Sequence, residues 1–162
     1  MIEGVTLIPL ATHADERGFF REVLRTTDIE SFGQLSWSSM YHGTIKAFHI
    51  HSVQYDYWFC PIGVIKAVLC DLRNEYGSIT LPSRKSSILD IPQKRYDTVE
   101  HLLGDNQLPC ILRIPPGVAH GLKVLQGPAH LMYVTSHVYN PEDEGRIPYD
   151  ALGYDWFKQE IK

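Results

Sequence analysis

The sequence predicts an all-β fold, an antiparallel sandwich or barrel, on three observations. Short apolar or alternating runs recur along the whole chain, clusters of Gly, Pro, Asn and Asp divide them, and almost no stretch keeps the apolar period of a helix. Many short strands with regular turn punctuation suit a closed or double-layered sheet. The 162 residues fit one domain, 1–162, with a sizeable core.

Taken in order, Gly4 to Pro9 is a β-branched run stopped by proline, and Gly18 to Leu24 follows a charged turn. Asp28 to Phe32 is a short segment open to helix. Lys46 to Val53 alternates, whereas Tyr57 to Pro61 and Val64 to Leu72 are apolar throughout and are parted by a turn at Gly63. Ser87 to Ile91 is a short strand, after a turn at Asn74 to Gly77. Asp97 to Leu103 admits helix but reads better as a strand running into the Gly104-Asp105-Asn106 turn. Cys110 to Ile114, Gly121 to Leu125 and His130 to Tyr139 complete the set, with Gly127-Pro128 as the last turn.

Composition excludes several roles. With 15 basic against 19 acidic residues and no basic stripe, a nucleic-acid partner is not expected. Cys60, Cys70 and Cys110 are odd in number, far apart and set in apolar runs, which suits buried thiols in a reducing compartment. The N-terminus Met1-Ile2-Glu3-Gly4-Val5 has no basic start, and no run is long enough to span a membrane. A cytoplasmic protein without a membrane partner is expected.

The chemistry concentrates on histidines. In an extended Lys46 to Val53, His49 and His51 share a face with Ala47 and Val53, and His120 follows the Pro115-Pro116-Gly117 turn. Burying several imidazoles without partners is costly, so convergence points to proton transfer or to a metal. The spacing of Gly43, His49-x-His51, Asp56 and Gly63, with Pro115-x-Gly117-x-x-His120 later, fits the two motifs of the cupin fold. Asp56 stands where those motifs carry Glu, and Val124 where they carry Asn. His49, His51, Asp56 and His120 as ligands of a metal-dependent enzyme is therefore one reading.

A second reading comes from motifs that occur in one order: Asp15-Glu16-Arg17-Gly18-Phe19-Phe20-Arg21-Glu22, Gln34-Leu35-Ser36-Trp37-Ser38, Gly43 to His51, Pro116 to Leu122 and Tyr139-Asn140-Pro141-Glu142-Asp143-Glu144. That ordered set resembles the dTDP-4-dehydrorhamnose 3,5-epimerase family, a cupin branch that usually works without metal, and it runs from about Asp15 to Trp156. The resemblance implies a cupin-type antiparallel barrel or jelly roll and no cofactor. It also implies a nucleotide-linked 4-keto-6-deoxysugar as substrate, dTDP-linked in the family, and a place in deoxysugar or polysaccharide biosynthesis.

Carried over by position, the resemblance makes His49 the base that removes a proton beside the C4 ketone and Tyr133 the acid that returns one from the opposite face. Such a reaction also needs a stabiliser for the enolate oxygen. Arg17 matches a diphosphate-binding arginine, Phe20 and Glu22 match residues near the nucleobase, and in the family these reach across a homodimer on a swapped N-terminal segment. Gln34, Lys46, His51, Asp56, His120 and Tyr139 fall at further substrate-contacting positions.

The chain departs from the family at several of these. Lys46 replaces an Arg, His51 a Gln, Ser36 an Asn, and the family's active-site Lys falls at Asp56. The acid that orients the base lies, in the family, beyond the Trp matching Trp156, so His49 lacks its usual carboxylate unless Asp56 or Asp71 serves. The His49-x-His51 pair also resembles the related 3,4-ketoisomerases, and a catalytically silent sugar-nucleotide binder would explain the missing Lys.

Overall fold

The computed structural model describes residues 1–76, 91 and 94–158. Ten strands occur among them: β1 Thr6–Pro9, β2 His13–Asp15, β3 Gly18–Phe20, β4 Gln34–Met40, β5 Ile45–His51, β6 Asp56–Asp71, β7 Thr98–Gly104, β8 Cys110–Ile114, β9 Val118–Thr135 and β10 Glu144–Arg146. Eight make one antiparallel sheet in the order β1-β8-β6-β9-β5-β10, with β4 also on β9 and β7 also on β6, while β2 and β3 form a separate hairpin. The all-β class read from the sequence is the one that forms.

Its spine is the pairing of the two longest strands. β6 and β9 run antiparallel from Asp56 opposite Thr135 to Asp71 opposite Val118. The sequence suggests two strands in each place, and the structure corrects this. Gly63 adopts φ +74° inside β6, where the register with β9 shifts between Phe59 and Ile65. The glycine therefore makes a bulge in a continuing strand rather than a turn between two. Likewise β9 runs on through Gly127-Pro128, starts at Val118 and stops at Thr135, short of Tyr139.

Other boundaries move for tertiary reasons. Asp28 to Phe32 is not helical; a single 3₁₀ turn covers Thr26–Asp28. The Glu30 N–H donates to the Tyr57 hydroxyl at 3.2 Å and the Ser31 hydroxyl to the Ser136 carbonyl at 2.7 Å, so the sheet supplies partners that a helix would have supplied itself. The Asn74 to Gly77 turn is in part the one-turn helix α1, Arg73–Tyr76. The Ser87 to Ile91 strand lies outside the described residues except for Ile91, which is buried but in no strand. Asp97 to Leu103 is the strand β7, one residue displaced.

Alternation along the spine builds the core on both faces. Trp58, Cys60, Ile65, Ala67 and Leu69 pack in one cluster with Leu122 and Val124, whereas Val68, Cys70 and Leu72 pack in another with Ala119, Ile147 and Trp156. On β5, Phe48 and Ile50 are fully buried in the second cluster, which turns His49 and His51 the other way. Ala47 packs towards that second cluster instead of sharing the histidine face, because the pairing with β9 shifts between Lys46 and His49. The same irregularity puts Lys46 on the side of His49.

Gly121 of β9 lies under this irregularity, where an added Cβ would meet the Ala47 Cβ at 2.4 Å and the Lys46 carbonyl oxygen at 3.0 Å. Gly121→Ala is expected to destabilise the protein by about 1–3 kcal/mol through overpacking. A lowered urea midpoint would record it; an unchanged midpoint would show that β5 can lift away freely.

Candidate active site

One end of the sheet encloses a cavity of about 310 Å³ whose walls come from β4, β5, β6, β9 and β10. β4 is not among the strands read from the sequence, although Gln34-Leu35-Ser36-Trp37-Ser38 alternates. Its apolar residues Leu35 and Trp37 are 52% and 67% exposed, while Gln34 and Ser38 turn inward to the cavity, so its amphipathicity is inverted. Of the residues singled out from the sequence, Gln34, Lys46, His49, His51, Asp56, His120, Tyr133 and Tyr139 all line this space.

His49 has the partner that a general base needs. Its Nδ1 lies 3.2 Å from Glu144 Oε1, a carboxylate only 8% exposed, which β10 brings into place by pairing with β5. A carboxylate only accepts, so Nδ1 carries the ring proton and Nε2 keeps its lone pair. The carboxylate beside His49 is thus Glu144, and neither Asp56 nor Asp71: Asp56 lies 3.5 Å from His120, and Asp71 is 2.6 Å from Arg73. Glu144 ends the motif that begins at Tyr139, and its residue type and spacing alone assign it no role. Burial, then the neighbouring His120, push the His49 imidazole down to about 4, with Glu144 pulling the other way. The neutral, proton-accepting form therefore predominates at neutral pH, and the ring keeps 43% of its surface open.

Tyr133 enters from the second half of β9, where it stands opposite Trp58 of β6 and Ser36 of β4. The His49 imidazole and the Tyr133 phenol therefore stand on different strands around one space. Arg146, paired across the ladder with His49, donates from Nε to the same Glu144 oxygen at 2.8 Å and also lines the cavity. Nothing in its sequence context marks it; only the strand pairing does.

The floor is more deeply buried. Asp56, 5% exposed, accepts from the Gln54 amide at 2.7 Å and from the Trp58 indole at 3.2 Å. Burial alone would raise its carboxyl, but the hydrogen bond from His120, its charge, and Gln54 outweigh that and hold it down to about 2. Asp143 braces the turn after β5 by accepting from the backbone N–H groups of Ser52, Val53 and Gln54 at 2.9, 3.0 and 3.1 Å.

Arg17, Phe20 and Glu22 line no part of this cavity. Arg17 pairs with Asp15 at 2.6 Å in the β2–β3 hairpin, Phe20 is 63% exposed, and Glu22 pairs with Arg25. Cys60, Cys70 and Cys110 form no disulfide, and burial pushes Cys60 up to about 11 and Cys110 upward too, which leaves these two poor nucleophiles.

Known proteins share both the sequence and the shape of this chain. A family model described as dTDP-4-dehydrorhamnose 3,5-epimerase matches residues 1–162. The chain is 40% identical over 163 residues to the spore coat polysaccharide biosynthesis protein SpsL of Bacillus subtilis, covering 96% of this chain and 97% of that one. It is 27% identical over 167 residues to a dTDP-4-dehydrorhamnose 3,5-epimerase of Mycobacterium tuberculosis, covering 96% of this chain and 74% of the relative. Among solved structures, the dTDP-6-deoxy-D-glucose-3,5-epimerase RmlC of Legionella pneumophila, in complex with dTDP-4-keto-L-rhamnose, superposes with a TM-score of 0.76. It is 25% identical, over 98% of this chain and 81% of that one.

Proposed function

Because this chain belongs to the dTDP-4-dehydrorhamnose 3,5-epimerase family, we propose that it epimerises a nucleotide-linked 4-keto-6-deoxysugar by proton abstraction beside the C4 ketone. It is a carbohydrate epimerase of cupin-type, jelly-roll fold, acting in deoxysugar biosynthesis. The observation that carries the mechanism is the His49–Glu144 pair facing the same cavity as Tyr133. His49 Nε2 takes the proton from the carbon next to the ketone, the electron pair moves onto the C4 oxygen, and the Tyr133 hydroxyl returns a proton to the opposite face. The Glu144 carboxylate fixes the tautomer and stabilises the imidazolium that forms. Conversion in heavy water tests this: dTDP-4-keto-6-deoxyglucose should gain deuterium at C3, C5 or both, and binding without any exchange would leave a silent sugar-nucleotide binder instead.

A cavity of about 310 Å³ accommodates a sugar and not a whole nucleotide-sugar, so the nucleotide extends outwards past Gln34, Lys46 and Tyr139. Arg17, Phe20 and Glu22 serve it from a second copy of the chain, which makes the working unit a cytoplasmic homodimer without nucleic-acid or membrane partners. Cysteines without disulfides fit that compartment, and among the described residues no helix is long and apolar enough to cross a membrane. Light scattering should give twice the chain mass. A monomer that binds dTDP at full affinity would remove Arg17, Phe20 and Glu22 from the site.

A further inference from the structure

Below the His49–Glu144 pair lies a cluster that proton transfer at His49 does not use. His51 Nδ1 is 3.1 Å from the Asp143 carbonyl oxygen, and His120 Nδ1 is 3.0 Å from the Val118 carbonyl oxygen. Carbonyls only accept, so each ring holds a proton on Nδ1 and, when neutral, a lone pair on Nε2. His120 Nε2 then faces the Asp56 Oδ2 at 3.5 Å in a buried place, longer than the roughly 2.7–2.9 Å usual between a charged nitrogen donor and a carboxylate. The Gln54 amide sits between the others, 3.3 Å from His51 Nε2 and 2.7 Å from Asp56 Oδ1.

That contact is long and joins one ring only to the carboxylate, whereas a cation would engage both rings and the carboxylate together. One ligand atom each from His51, Asp56 and His120 lie within 4.8 Å of one another. Both imidazoles are oriented by Nδ1–H bonds to backbone carbonyls, and the carboxylate is oriented by the Trp58 indole, which is the outer support that metal-binding rings and carboxylates carry. Two imidazoles and one carboxylate suit a first-row transition ion better than Mg²⁺ or Ca²⁺.

We propose that His51, Asp56 and His120 bind one divalent transition cation, with the Gln54 amide turned to offer its oxygen as a further donor. His49 is not in the group whose ligand atoms lie within 4.8 Å of one another, so the site differs from the four-residue set read from the sequence and runs against a metal-free protein. Its binding stands alone. Its role rests on the epimerase reading: a cation on the cavity floor supplies positive charge for the enolate oxygen where this chain has Asp56 in place of lysine.

The test uses untagged full-length protein, stripped with chelator and titrated with Co²⁺ while visible absorption and the melting temperature are followed. One Co²⁺ per chain, with ligand-field bands and a raised melting temperature, is expected. His51→Gln and Asp56→Asn should each weaken binding by about 100-fold or more, and His49→Asn should leave it intact. Far-UV circular dichroism checks folding, and His51→Gln, which removes no buried charge, decides the matter if Asp56→Asn is unstable. No saturable binding below about millimolar Co²⁺, or equal binding by His51→Gln and wild type, overturns the site. Deuterium exchange by stripped protein that cannot bind Co²⁺ would sink the site and keep the epimerase; Co²⁺ binding without exchange in the loaded protein would do the reverse.

Discussion

His49→Asn is expected to lower deuterium incorporation and turnover by about 10²–10⁴-fold while leaving dTDP affinity nearly unchanged. Asn is close in shape to imidazole at the ring nitrogen that meets Glu144, so the exchange removes the base with little disturbance of the floor. Glu144→Gln should cost less, because the imidazole remains a base, but it loses the carboxylate that holds Nδ1–H at 3.2 Å and that stabilises the imidazolium. The order of the two losses is the informative result. Exchange followed by NMR in heavy water would show it, and a His49→Asn protein that still exchanges at wild-type rate would place the base elsewhere. Equal rates for Glu144→Gln and wild type would show that Glu144 is only a wall of the cavity.

Much of the site is legible in the amino-acid order, and the residues that are not legible there share a physical cause. His49 and His51 lie on a strand whose other face is strongly apolar, so period-two alternation locates them, whereas Tyr133 is placed only by the resemblance to the family. Lys46 defeats that logic, because a register shift in β5 moves it to the face of His49. Glu144 and Arg146 sit on a three-residue strand that exists only through its pairing with β5, and no local pattern of such length announces itself. β4 alternates in the opposite sense: lining the cavity, it carries polar residues inside and apolar ones outside. Gly63 and Gly127-Pro128 carry the composition of turns, yet long-range pairing of β6 with β9 overrides it.

Tyr133→Phe is the second large effect, and it should separate two steps that His49→Asn abolishes together. Removing the hydroxyl leaves the ring, which packs against the core beside Leu131 and Trp58, so folding and dTDP binding should persist. Abstraction by His49 needs no acid on the far face, whereas inversion requires a proton delivered there. Exchange by return of the proton to the original face should therefore continue at a substantial fraction of the wild-type rate, while formation of inverted product falls by about 10²-fold or more. Deuterated but uninverted sugar would accumulate. The comparison is internal to one NMR experiment, because C–H loss and the coupling pattern of the epimerised ring are read from the same sample. If exchange and inversion fell together in Tyr133→Phe, the hydroxyl would be needed for enolisation itself, and its place would be at the C4 oxygen rather than above the carbon that inverts.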